Sequence, residues 1–186
     1  MASKIRLGID LDGVICLNMR SWANHMNPNV PSCHTTLLEG DRHPTWDSPF
    51  KVCPTCFGAA INDPKVIMDY DLEPFAKIAI DMMFRVGVKM VVITSRPDPV
   101  RYATVNYLKE VGLLPYFEAV RFADNKLPVA IEEKLNFMLD DRPKNLDEFI
   151  GSPIVPIVFD QPYNQEVKAL RAKGWLDVAE IILQNI

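Results

Sequence analysis

The sequence lacks the features that would indicate a nucleic-acid-binding or membrane protein. Its 20 lysines and arginines are outnumbered by 24 aspartates and glutamates, which gives a net charge of −4. Nucleic-acid binders usually carry a basic excess, so we expect no stable nucleic-acid binding. No apolar run reaches the roughly 18 residues of a membrane span. The first apolar run is also too short for a signal peptide. We therefore expect a soluble, cytoplasmic protein.

Cysteine and histidine are scarce, and both are confined to one part of the chain. All four cysteines and all three histidines fall within residues 15–72. This segment shows little hydrophobic periodicity, and we interpret it as an insertion dominated by loops, with a helix near residues 17–26. In a reducing compartment its cysteines are expected to be thiols or metal ligands rather than disulfides.

The remainder of the chain alternates between strand-like and helix-like segments. Apolar or β-branched runs predict strands over residues 5–9, 88–93, 119–122, 137–139 and 154–159. Helical spacing predicts helices over residues 73–86, 99–111, 165–173 and 176–184, with residues 131–133 as part of a short one. This alternation predicts an α/β fold with a doubly wound, mostly parallel sheet. The predicted core comprises residues 1–14 and 73–186, and residues 15–72 form a small inserted cap.

Polar clusters follow three of the predicted strands. The clusters are Asp10 with Asp12, then Thr94-Ser95-Arg96, and then Asp140-Asp141-Arg142. A parallel sheet aligns the carboxyl ends of its strands at one edge, and ligands bind at that edge near the point where strand order reverses. The three clusters together therefore predict one convergent site.

The residue types in these clusters suit phosphoryl transfer. Several carboxylates in one site repel each other unless a cation lies among them, and oxygen ligands suit magnesium. A carboxylate can attack phosphorus while cations neutralise the charge on the phosphoryl oxygens. Side chains alternate along an extended chain, so Asp10 and Asp12 point the same way. Two carboxyl groups can then flank one phosphoryl group and perform different tasks.

Several motifs resemble those of a known superfamily. DLDGV, ITSRP and LDDRP resemble motifs one, two and four of the haloacid dehalogenase (HAD) superfamily of phosphohydrolases. Within that superfamily, KLPVAIEEKLNFMLDDRPKN, VFDQPYN and GWLDVAEIIL are similar to the 5′(3′)-deoxyribonucleotidase branch. The agreement spans residues 4–14 and 73–186. The resemblance implies a HAD-like Rossmann-type core and magnesium-dependent hydrolysis of phosphomonoesters through an aspartyl-phosphate.

The resemblance also implies roles for the aspartates that match its motifs. Asp10 would be the nucleophile that forms the aspartyl-phosphate. Asp12 would donate a proton to the leaving alcohol and then activate water, and its backbone carbonyl would reach the metal. The magnesium ligands would be Asp10, Asp12 and Asp140, with Asp141 either binding the ion or orienting its waters.

A hydroxyl group and cations would complete the phosphate site. The resemblance implies that Thr94 bonds the phosphoryl group, with the Ser95 hydroxyl or amide nearby. The arginines Arg96, Arg101 and Arg142 either help to bind the phosphate, with Arg96 as the first choice, or form surface ion pairs that contribute little.

The expected lysine has two candidates, Lys126 and Lys134. We favour Lys126, because the resembled branch has its lysine after a similar turn that contains an aspartate.

The cysteines of the insertion suggest a second metal site. Cys53 and Cys56 form a CxxC knuckle, and a structural zinc needs four nitrogen or sulfur ligands. Our first choice for the other two is Cys33 and His43, with His34 as the alternative. Zinc could supply folding energy to a segment with little core of its own. The simpler interpretation is a set of reduced thiols and scattered histidines, and a redox CxxC pair is a third.

The expected substrate is a small phosphorylated molecule, best matched by a deoxyribonucleoside or ribonucleoside monophosphate. Three aromatic residues of the insertion, Trp22, Trp46 and Phe50, either stack on the base or simply pack the cap. One alternative is a phosphatase for sugar phosphates or nucleic-acid ends. Another is a non-catalytic, zinc-containing interaction module. That module would be expected to have lost its catalytic residues, yet Asp10 and Asp12 are present.

Overall fold

A six-stranded parallel sheet forms the centre of the protein. The computed structural model describes residues 5–25 and 54–186. The sheet strands are β1 (Arg6–Ile9), β4 (Lys89–Thr94), β5 (Phe117–Phe122), β6 (Phe137–Asp140), β7 (Val155–Phe159) and β8 (Leu170–Ala172), in the order β5-β4-β1-β6-β7-β8. All neighbours pair in parallel, and strand order reverses at β1, which lies between β4 and β6. The predicted doubly wound α/β fold is confirmed.

The helices cover both faces of this sheet. They are α1 (Met19–His25), α2 (Pro54–Ile61), α3 (Pro64–Met68), α4 (Ala76–Arg85), α5 (Arg101–Glu110), α6 (Lys126–Glu132), α7 (Pro143–Asp147) and α8 (Trp175–Leu183). Within β4, Met90 and Val92 join one apolar core while Val91 and Ile93 join another. Burial on both faces explains why this strand reads as a continuous apolar run. Among the residues described, no helix is long and apolar enough to cross a lipid bilayer.

A short antiparallel ribbon joins the two ends of the predicted insertion. Strand β2 (Cys16–Leu17) pairs with β3 (Asp71–Leu72). Between them, the described part of the segment is more helical than the loop-rich expectation. Asp63 explains one of these helices, because its side chain accepts a hydrogen bond from the Lys65 backbone at 2.8 Å and Pro64 begins the first turn. The division into core and cap stays a prediction.

The helix predicted over residues 165–173 is wrong. Residues 170–172 form β8, the edge strand that pairs with β7. Arg171 accounts for the difference, because its guanidinium bonds the Asp160 carboxylate at 2.5 Å and the backbone carbonyls of Asn164 and Val167. These contacts fix a turn where the local sequence favours a helix. The other predicted strands and helices occur close to the expected places, and residues 131–132 end α6.

Candidate active site

The sheet edge brings a lysine between two of the predicted aspartates. Asp10 follows β1, Asp140 ends β6, and Lys126 begins α6. The Lys126 Nζ lies 2.6 Å from Asp10 Oδ1 and 2.6 Å from Asp140 Oδ2. All three side chains are buried, Lys126 completely. The alternative, Lys134, is exposed in the turn that follows α6.

Asp141 completes a group of three carboxylates that fits a divalent cation. Oxygens of Asp10, Asp140 and Asp141 all lie within 4.8 Å of one another. The Tyr163 hydroxyl donates to Asp141 Oδ2, whereas Asp141 Oδ1 is buried and makes no hydrogen bond in the described part of the chain. A buried polar atom normally has a partner. An oxygen-only donor set with one orphaned oxygen fits magnesium.

The electrostatics of these acids favour the same interpretation. Burial raises the pKa of Asp10 to about 7; the Lys126 charge opposes this rise, and the Asp140 charge adds to it. Burial likewise raises the pKa of Asp141 well above its usual value, and the charges of Asp140 and Asp10 add to the rise. One lysine does not balance three buried carboxylates, and a divalent cation would favour the ionised forms of Asp10 and Asp141.

Asn145 holds the Asp140 carboxylate in place. Its Nδ2 donates to Asp140 Oδ1 at 3.0 Å and to Oδ2 at 3.1 Å, and the Arg142 backbone N–H donates to Oδ1 at 2.9 Å. Both oxygens of Asp140 are thus oriented before any ligand binds. Sequence reasoning did not identify Asn145. Its signal was its place in the first turn of a helix, five residues after a predicted metal ligand.

Asp12 is held by an arginine rather than by the lysine. Arg96 Nε donates to Asp12 Oδ2 and Nη2 donates to Oδ1, each at 2.8 Å, and Asn18 Nδ2 donates to Oδ1 at 3.1 Å. Burial favours a higher pKa for Asp12, but the charge and hydrogen bonds of Arg96 outweigh it and lower the pKa below its usual value. We expected Arg96 on the phosphate; the structure places its guanidinium on Asp12.

The two hydroxyl residues of the second cluster have different positions. Thr94 is buried, and its Oγ1 accepts a hydrogen bond from the Arg96 backbone N–H at 3.2 Å. Ser95 is half-buried and lines the cavity beside Asp10 and Asp12. Thr94 is the last residue of β4 and Ser95 follows it directly, so the carboxyl end of this strand places both residues at the site.

A cavity of about 170 Å³ opens over the aspartates. Its polar floor includes Asp10, Asp12 and Asp141, and its apolar wall comprises Met19, Trp22, Phe57, Ile61, Ile67 and Tyr70. Trp22 packs edge-to-face on Phe57 with ring centroids 4.9 Å apart, and its Nε1 donates to the Tyr70 hydroxyl at 2.6 Å. Trp22 thus packs the wall and also faces the cavity. Trp46 and Phe50 lie outside the described residues.

The loop after β7 makes hydrogen bonds to the edge that carries the candidate metal ligands, and the site prediction did not include this loop. Gln161 Nε2 donates to the Gly13 carbonyl at 2.7 Å, and Asn164 Nδ2 donates to the Asp141 carbonyl at 2.7 Å. Tyr163 of the same loop reaches the Asp141 carboxylate. All three residues belong to the motif VFDQPYN, which entered the sequence analysis only through its resemblance to the nucleotidase branch.

The zinc prediction falls mostly beyond the described residues. Cys33, His34, His43 and Cys53 all lie outside them. Cys56 is described, half-buried in α2. The zinc site therefore stays a prediction.

Gly13 is a position where the site should not tolerate a side chain. Its φ is +78°, and an added Cβ would lie 2.5 Å from Asp141 Oδ2 and 3.0 Å from the Tyr163 hydroxyl. We expect Gly13→Ala to displace Asp141, to cost about 2–3 kcal/mol of stability, and to raise the magnesium concentration needed for half-maximal activity. Urea unfolding and a magnesium titration of the reaction rate measure the two effects.

Gly151→Ala is the matched control for that substitution. Gly151 has a φ of +80°, but an added Cβ would meet no atom within 4 Å. This variant carries only the conformational cost of about 1 kcal/mol, and its magnesium dependence should equal that of the wild type. If the two variants behave alike, Gly13 is required only for its backbone conformation.

Comparison with known proteins identifies a sequence family over almost the whole chain. The family described as 5′ nucleotidase, deoxy (pyrimidine), cytosolic type C protein matches residues 3–185. A 5′(3′)-deoxyribonucleotidase from Clostridium acetobutylicum is 28% identical over 180 residues, which cover 94% of this chain and 93% of that protein.

Solved structures are similar in fold at much lower identity. A crystal structure described as a predicted phosphatase from Clostridium acetobutylicum has a TM-score of 0.72 at 13% identity, covering 98% of this chain and 100% of that one. A haloacid dehalogenase-like family hydrolase from Streptococcus pneumoniae has a TM-score of 0.65 at 12% identity, covering 97% of this chain and 99% of that one. At such identities the likeness shows the fold alone.

Proposed function

This chain belongs to the cytosolic type C 5′ nucleotidase family within the HAD superfamily of phosphohydrolases, and from that premise we propose that it hydrolyses nucleoside monophosphates through a phosphorylated aspartate. The observation that carries the proposal is the meeting of Asp10, Asp140 and Asp141 around Lys126 at the edge of a parallel sheet. This arrangement combines a nucleophile, a cation and a metal-binding donor set, and two of its carboxylates, Asp10 and Asp141, line the cavity.

Magnesium is the cofactor that the donor set favours. Asp10, Asp140 and Asp141 would hold it, and the orphaned Asp141 Oδ1 supplies an oxygen without another partner in the described residues. The ion, when bound, would neutralise charge on the phosphoryl oxygens and keep the nucleophile ionised. Asn145 and Tyr163 orient two of these carboxylates, and such outer partners commonly tune a metal site.

The reaction itself would be divided between Asp10 and Asp12. An Asp10 carboxylate oxygen attacks phosphorus, while Lys126 stabilises the negative charge next to it. Because Arg96 lowers the pKa of Asp12, Asp12 must first take up a proton, which the monoanion of the phosphomonoester can bring. As the bond from phosphorus to the ester oxygen breaks, Asp12 gives that proton to the oxygen and the nucleoside leaves. Asp12 then accepts a proton from the water that attacks the aspartyl-phosphate, and inorganic phosphate is released.

The apolar wall of the cavity favours a nucleoside as the leaving group. Trp22, Phe57 and Tyr70 line the same cavity as Asp10, Asp12 and Asp141. A planar base could bury its faces there, whereas a sugar phosphate would offer this wall only hydroxyl groups. We propose that residues 15–72 act as a cap that supplies this wall, since Trp22 and Phe57 lie in α1 and α2.

A panel of phosphomonoesters tests the substrate proposal. We expect deoxyribonucleoside and ribonucleoside monophosphates to be hydrolysed with a kcat/KM at least about tenfold above that of sugar phosphates, because apolar burial of a base contributes more than 1.4 kcal/mol. Chelation of magnesium should abolish the activity, and added magnesium should restore it. Equal rates for nucleotides and sugar phosphates, or a preference for phosphorylated nucleic-acid ends, would contradict the nucleotidase proposal.

A further inference from the structure

We propose that Arg96 is a positioning residue, which fixes the Asp12 carboxylate beside the departing ester oxygen and is itself held in place by Thr104 and Tyr70. The inference rests on the proposed function, in which Asp12 handles the leaving-group proton. In this role Arg96 orients Asp12 instead of binding phosphate. Arg96 also contacts Tyr70 of the apolar cavity wall, so this wall and Asp12 share one neighbour.

Every nitrogen of the Arg96 guanidinium already has a partner. Two of its nitrogens donate to the two oxygens of Asp12, each at 2.8 Å. Its Nη1 donates to Thr104 Oγ1 at 3.2 Å, and its Nη2 lies 3.7 Å from Cys16 Sγ. The Arg96 side chain is only 4% exposed. Four of its five N–H groups therefore already have a partner within the described residues, and one Nη1 hydrogen remains for another acceptor.

The aromatic ring of Tyr70 packs against one face of the Arg96 guanidinium. Arg96 Cζ lies 5.0 Å from the centroid of the Tyr70 ring, which is within the range of a cation–π contact. Tyr70 is 5% exposed and accepts the hydrogen bond from Trp22 Nε1. Tyr70 and Trp22 both line the cavity wall. The surface proposed to receive the base therefore contacts the arginine that holds Asp12, and Arg96 itself also lines the cavity.

The planar fork of arginine explains why this residue type is needed. A guanidinium binds both oxygens of a carboxylate in one orientation, whereas a lysine ammonium is a point charge that fixes no plane. Without the fork, Asp12 could rotate away from the leaving oxygen. A nucleoside alkoxide is a poor leaving group and depends strongly on the proton from Asp12. A 4-nitrophenolate leaves with little need of that proton. The loss of activity in an Arg96 variant should therefore be larger for a nucleoside than for 4-nitrophenolate.

The test compares two leaving groups in single-turnover experiments on Arg96→Lys. We expect the release of nucleoside from a deoxyribonucleoside monophosphate to fall about 100-fold, the size of a general-acid contribution, while release of 4-nitrophenolate from 4-nitrophenyl phosphate falls less than about tenfold. Arg85→Lys is the matched control, because Arg85 is exposed and paired with Asp81 at 2.6 Å on the outer surface of α4. Both of its rates should equal those of the wild type.

Thr104→Val keeps the inference testable if Arg96→Lys fails to fold. Thr104→Val preserves the side-chain volume and removes the hydroxyl that binds Arg96 Nη1. We expect nucleoside release to fall relative to 4-nitrophenolate release, as in Arg96→Lys, but only by about threefold, the effect of one modest hydrogen bond. Equal losses for both leaving groups in Arg96→Lys, or an unchanged ratio in Thr104→Val, would overturn the inference. A wild-type protein that releases neither product would instead refute the proposed function, and the inference with it.

Discussion

Asp10→Asn is expected to abolish turnover while leaving the protein folded. An amide oxygen is a poor nucleophile, so kcat should fall by about 10⁴-fold or more, as when a nucleophile is removed from other covalent catalysts. The fold should persist, because Lys126 keeps its partner Asp140 at 2.6 Å. Circular dichroism and the melting temperature check the fold, and phosphate release from a nucleoside monophosphate with magnesium measures the activity.

A surface aspartate provides the comparison for this variant. Asp98 is 82% exposed in its side chain and pairs with Arg101 at the surface. Asp98→Asn makes the same chemical change and should keep full activity. Phosphoenzyme should be trapped on the wild type and on Asp98→Asn but not on Asp10→Asn. Substantial residual turnover in the Asp10 variant would show that another group attacks phosphorus.

Lys126→Met is expected to damage both stability and activity. The substitution leaves Asp10 and Asp140 buried without their cation, and breaking a buried ion pair in this way costs about 3–5 kcal/mol. Activity should fall by about 10²–10³-fold, since a charge aimed at the phosphoryl group is lost. Magnesium should recover part of the stability, because it supplies positive charge to the same carboxylates. Urea unfolding with and without magnesium measures this recovery.

Lys134→Met separates the two lysines that the sequence left as candidates. Lys134 is exposed, so the same chemical change there should alter stability by less than about 0.5 kcal/mol and leave turnover unchanged. If Lys134→Met abolished activity while Lys126→Met did not, the lysine assignment would be reversed. A Lys126 variant as stable as the wild type without magnesium would mean that the buried acids are neutral in the folded protein.

The sequence predicted the positions of the site residues more accurately than their contacts. Each polar cluster directly follows a continuous apolar run, and parallel pairing carries those runs to one edge of the sheet. That geometry depends only on strand periodicity and on the rule for parallel sheets. The resembled turn favoured Lys126 over Lys134. The sequence did not show that the Lys126 side chain is buried between Asp10 and Asp140.

Contacts made through side-chain direction or through distant loops could not be predicted. Arg96 directly follows Ser95 in the chain, which suggested a place on the phosphate. In the structure its guanidinium binds Asp12 and also contacts Thr104 and Tyr70, and neither contact can be read from the sequence. Residues 165–173 have helical spacing, yet pairing with β7 and the contacts of Arg171 make part of them a strand. In both cases long-range contacts override the local pattern.

The ribbon that β2 and β3 form has a consequence for how the protein could evolve. Cys16 pairs with Leu72 and Leu17 with Asp71 in a two-stranded ribbon separate from the main sheet, so the two ends of the intervening segment lie side by side. A different segment could be grafted between these strands without lengthening or shifting any strand that carries an aspartate. In the proposed function, such an exchange would give the leaving group a different wall while the aspartates keep their positions.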